Sequence, residues 1–114
     1  MNSLYIVVKE TYDYWDDYKC NIEVFSAKED ALYYFSLLRD NIARNAAIDN
    51  EIINNNNANN IIIEEVIQEL IRQEEENNGV YVTNNEEYFS VDIEEWGYNK
   101  VYIEKKEIMK CDIN

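Results

Sequence analysis

The chain contains no histidine and no proline, only two glycines and two cysteines, and 10 lysines and arginines against 24 acids. Without histidine it lacks the commonest general base and the commonest neutral metal ligand. No serine or cysteine therefore has an imidazole to activate it, and neither Gly79 nor Gly97 belongs to a phosphate-cradling loop. Paired carboxylates could do acid-base work, but among so many acids a pair carries little information. A non-catalytic protein without a cofactor is the expectation. The absence of proline leaves nothing in the sequence to block an exposed sheet edge.

Cys20 and Cys111 lie near opposite ends of the sequence and could form a bridge. Met1 is followed by no apolar leader, and no stretch reaches membrane-spanning length. Reduced, partly buried thiols in the cytoplasm of a host cell are the expected state.

What is present is apolar and acidic at once. Hydrophobic residues make up 46% of the 114 positions and aromatics 13%, enough apolar surface to offset the entropy of ordering a chain. One acidic domain spanning residues 1–114 is expected, burying about 65% of the surface of its unfolded form. The formal net charge of -14 repels nucleic acid and anionic membrane alike, so an electrostatic partner should be basic.

Alternation and helical spacing supply the architecture. Leu4, Ile6 and Val8 alternate with Tyr5, Val7 and Lys9, apolar enough on both faces for a central strand. Cys20, Ile22 and Val24 alternate with Asn21, Glu23 and Phe25, and a first hairpin joins the two runs. The segment from Tyr12 to Lys19 can be read as strand or as loop. Ser26 and Glu29 have capping-box spacing ahead of a stripe of Ala31, Leu32, Phe35, Leu38 and Ile42, which predicts a helix to about Asn45. Ala46 to Asn60, rich in asparagine, reads as a loop whose composition needs no functional explanation. A second helix is expected over Ile61 to Glu76, with Gly79 as its stop and with acids at an end where the helix dipole disfavours them.

Val80 to Val82 can be a short strand or the lead into the second hairpin, Glu86 to Glu107. In that hairpin Phe89, Val91, Ile93, Val101 and Ile103 form an apolar face, and the turn is placed at Trp96 to Asn99. The predicted class is α+β: a mostly antiparallel sheet built as β-hairpin, two helices, β-hairpin, with the helices packed on one face.

Three groups of acids stand out: Asp13, Asp16 and Asp17; Glu64 to Glu76; and Glu86, Glu87, Asp92, Glu94 and Glu95. Residues two apart on a strand repeat at about 6.6 to 6.8 Å, a spacing that Asp92 and Glu94 fit, and Glu65 and Glu69 fit the repeat of a helix turn. Such rows offer a basic groove part of what a nucleic-acid backbone offers, since B-DNA carries a charge about every 1.7 Å of its axis. Solvated faces would carry the same residues; the shortage of lysine and arginine favours a function. Asp13, Asp16 and Asp17 lack the ligand alternation of an EF-hand, so no specific metal site is expected.

Aromatics interleave with these acids: Tyr12, Tyr14, Trp15 and Tyr18, then Tyr88, Trp96, Tyr98 and Tyr102. Beside carboxylates they suit an arginine-rich partner, although cross-strand packing would use the same side chains. Trp15 and Trp96 are expected to be at least partly exposed.

In size, acidity, richness in Asn, Ile and Tyr, and lack of catalytic motifs, the chain resembles the small acidic inhibitor proteins of phages and mobile elements, the anti-CRISPR type. The resemblance implies a role and no particular fold. It implies inhibition of a nucleic-acid-binding enzyme, a CRISPR effector or another nuclease, through its basic groove. Asp13, Trp15, Asp16, Asp17, Asp92, Glu94, Glu95 and Trp96 are the candidate contact residues. The alternative is a protein-protein interaction or regulatory module that binds through an apolar patch, with a homodimer joined through a sheet edge or the second helix also open to it.

Overall fold

The computed structural model describes residues 3–13, 18–54 and 61–108. In chain order the elements are β1 (Ser3–Asp13), β2 (Tyr18–Phe25), α1 (Lys28–Asp49), α2 (Ile63–Glu75), β3 (Val80–Asn84), β4 (Tyr88–Ile93) and β5 (Gly97–Glu107). The strands form one antiparallel sheet in the order β2-β1-β5-β4-β3. This is the expected α+β architecture, with β3 as the short extra strand. The apolar double face of β1 follows from its position between β2 and β5, with which it pairs from Ser3 opposite Glu107 to Asp13 opposite Gly97.

One face of the sheet is covered. Val7, Phe89, Val91, Val101 and Val80 are buried there, with Tyr5, Phe25, Val82, Ile93 and Ile103 packed around them. From above, α1 contributes Ala31, Phe35, Ile42, Ala43, Ala46 and Ala47, and α2 contributes Val66, Ile67 and Leu70. The run of alanines late in α1 explains its length. Ala43, Ala46 and Ala47 are buried in the core, and that packing carries α1 on to Asp49, past the boundary near Asn45 suggested by the asparagines. No helix among the described residues is long and apolar enough to cross a membrane.

The helix boundaries differ from the local signals. Ser26 does not cap α1; Ala27 occupies the cap position without a side-chain hydrogen bond. Phe25, the last residue of β2, packs on Tyr34 with ring centroids 5.5 Å apart at the point where the chain leaves the sheet.

Both helices end in the same way. Asn77 is left-handed at φ 59°, and its N–H and that of Asn78 donate to the carbonyls of Glu74 and Gln73, a Schellman closure. Glu51, also at φ 59°, closes α1, with its N–H and that of Ile52 donating to Ile48 and Ala47. The stop of α2 is therefore Asn77, two residues before Gly79.

Candidate functional site

The connection between β4 and β5 is tighter and earlier than the sequence suggests. Ile93 lies opposite Gly97, the N–H of Trp96 donates to the carbonyl of Ile93 at 3.0 Å, and Glu95 adopts φ 72°. The turn is thus Glu94 to Trp96, not Trp96 to Asn99, which belong to β5 except for Trp96. Gly97 explains the shift. At φ 128° a side chain there is strained, and a Cβ would stand 1.9 Å from the carbonyl oxygen of Tyr12. Only glycine lets β1 pass this close.

That close approach sets Asp13 beside the turn, as the register partner of Gly97. Asp13 and the acidic turn, about eighty positions apart in sequence, therefore lie at the same end of the sheet. The turn is also tied to the neighbouring connection, because the N–H of Glu94 donates to the carbonyl of Gly79 at 2.8 Å. A hollow of about 480 Å³ opens between them, lined by Asn50 from the end of α1, Asn77 and Asn78 after α2, and Glu94, Glu95 and Trp96. Trp96 is 67% exposed, as its setting among acids suggested.

The candidate residues divide accordingly. Glu94, Glu95 and Trp96 line the hollow together, and Asp13 stands at the same end of the sheet, opposite Gly97, outside that lining. Asp92 stands apart on the uncovered face of the sheet, between Tyr81 and Tyr98 in the register. Glu94 has left the strand, so the row of Asp92 and Glu94 is broken. Trp15, Asp16 and Asp17, with Tyr14, lie outside the described residues. The asparagines of the hollow carried no signal, because each owes its position to a helix ending.

Cations are deployed elsewhere. Arg72 pairs with Glu69 and Glu76, Arg39 with Asp40 and more distantly with Glu64, and Lys28 with Glu87. The Arg72 guanidinium holds the Glu69 carboxyl below its ordinary range, chiefly through their hydrogen bond. The acids of α2 are thereby partly compensated, and its Glu65 and Glu69 do not form a free row. Among the described residues, Asp92, Glu94 and Glu95 make no ion pair with lysine or arginine.

The uncovered face has its own order. Tyr12 stacks on Tyr98 at 5.6 Å and Tyr88 on Tyr102 at 5.8 Å, each pair directly cross-strand. Between the pairs Lys100 Nζ meets Glu10 Oε2 at 2.8 Å and lies 5.3 Å from the Tyr98 ring centre. The hydrogen bond from Lys100, helped by one from Tyr18, lowers the Glu10 carboxyl below its ordinary value; the same contact raises Lys100. These tyrosines are cross-strand packing partners. Cys20 is a free thiol and is exposed, contrary to the partial burial expected; Cys111 lies outside the described residues.

The hollow thus offers two carboxylates, amide groups and an exposed indole. Carboxylates accept charge-assisted hydrogen bonds from a guanidinium or ammonium group, and an indole face attracts the same cation. Among the described residues no group of three or more side chains is arranged to hold a metal ion. No family model matches the chain, and no curated protein and no solved structure matches it.

Proposed function

We propose that the protein is a non-catalytic inhibitor that presents its acidic sheet end to the basic groove of a nucleic-acid-binding enzyme, as a partial mimic of the nucleic acid. The observation that carries this reading is the turn of Glu94, Glu95 and the exposed Trp96, which line one hollow away from the ion pairs on the helices, at the sheet end where Asp13 lies opposite Gly97. Glu94 and Glu95 receive arginine or lysine from the groove, and Trp96 stacks on a guanidinium. Asp92 extends the contact onto the open face of the sheet. The compositional resemblance points to a CRISPR effector as the target, with other nucleases in the same chemical class.

The test is capture of the target at low salt by the native protein and by a double variant, Glu94→Gln with Glu95→Gln, followed by competition with the target's own nucleic acid. The expected result is a nucleic-acid enzyme held by the native protein only, released by its nucleic acid, with affinity falling steeply as salt rises. Equal capture of one partner by both proteins, unaffected by nucleic acid, would assign binding to an apolar surface and overturn the proposal.

A further inference from the structure

The two edges of the sheet are treated differently. β3 is five residues long, and the outward N–H of Val82 donates to Oε1 of Glu74 on α2 at 3.3 Å, so a helix side chain occupies that edge. β2 is eight residues long and pairs with β1 from Phe25 to Tyr18 without a bulge. Among the described residues nothing pairs with its other side. Every residue from Tyr18 to Val24 is exposed, with Ile22 and Val24 more than half so. Proteins blunt long regular edges with proline, bulges or charge, because unpaired N–H and C=O groups recruit another strand. Here proline and bulge are absent, and Lys19 is balanced by Glu23.

We propose that this edge pairs with β2 of a second copy, antiparallel about a two-fold axis at Asn21, making the two five-stranded sheets continuous. An axis perpendicular to the sheet keeps each face on its own side, so facing residues must have an even sum and the axis must pass through a residue. At Asn21, Lys19 faces the partner's Glu23 twice over. On the open face Tyr18 meets the partner's Val24 and Cys20 meets the partner's Ile22, joining aromatic and branched side chains across the seam. An axis at Cys20 sets Lys19 against asparagine, and one at Ile22 sets it against Phe25. Only the axis at Asn21 pairs the two opposite charges.

Sedimentation equilibrium on the full chain tests the pairing, with circular dichroism confirming the fold of each variant. The native protein should be a dimer. Lys19→Glu and Glu23→Lys should each weaken it by at least about tenfold, since both symmetry-related pairs turn repulsive, and the combined exchange should restore it. In a Cys20→Ser, Cys111→Ser background, Asn21→Cys should oxidise to a disulfide-linked dimer. A native monomer at every concentration, association indifferent to both charge reversals, or failure of the combined exchange to restore a folded dimer would overturn the proposal.

Discussion

The covered and uncovered faces of the sheet are written in the same alternating code, yet they are held by different physics. Beneath the helices Phe89, Val91 and Val101 are buried without a polar atom among them, and their contribution comes from apolar area and close packing. On the other side, tyrosine stacks flank the Glu10–Lys100 pair, and water remains in contact with most of these groups. Alternation alone says that a strand has two sides. It does not say that one side will be sealed by helices and the other finished with aromatic and ionic pairs.

Breaking the covered face should cost most. Phe89→Ala removes a fully buried ring from the covered face and should lower unfolding free energy by about 3 to 5 kcal/mol in urea titrations. An effect no larger than that of an exposed position would show that the faces are equivalent. Tyr98→Ala, on the open face, removes one ring of a stack that solvent still reaches; about 1 to 2 kcal/mol is expected by the same titration.

The smallest effect sharpens the contrast through pH. Glu10→Gln should cost about 1 kcal/mol at neutral pH, because the pair is only partly shielded. Folding lowers the Glu10 carboxyl below its unfolded value, so its contribution is complete above that value and is lost as pH falls through the lower, folded one. Urea titrations across the acid range should therefore show the native and Glu10→Gln proteins converging only at acid pH. A difference that persists below the ordinary carboxylate range would mean that the ion pair is not its source.

Much of the fold was legible because its signals are local and repeated. The stripe from Ala31 to Ile42, the face from Ile63 to Ile71, and the alternation of Phe89 with Ser90 and Val101 with Lys100 each reappear in the elements described. Misplaced boundaries share one cause. Ser26 has the right spacing for a cap, but the cap position falls one residue later, at Ala27, beside the packing of Phe25 on Tyr34. Asn45 marked a plausible helix end, yet burial of Ala46 and Ala47 against the core outweighed the weak preference of asparagine for turns. Gly97 falls inside the turn that the sequence suggests, yet it belongs to β5 and its conformation serves the close passage of β1.

The candidate site was legible in part. Clusters of acid around Trp96 and Asp13 are visible in the sequence, as is the shortage of cations that would neutralise them. That both lie at one end of the sheet is not visible, because it depends on the antiparallel register that sets Asp13 opposite Gly97. The asparagines beside Glu94 and Glu95 were equally hidden, since Asn50 and Asn77 belong to helix endings that only the packed helices define.

By itself, then, the sequence determined the α+β class, the number of long helices, the apolar side of each element and the strongly acidic charge, all of which follow from residue type and short-range period. Tertiary structure decided where the helices stop, which acids find an arginine, which face of the sheet the helices cover and which edge a helix side chain occupies. Those outcomes depend on contacts between residues distant along the chain, and no local period encodes the register that brings them together.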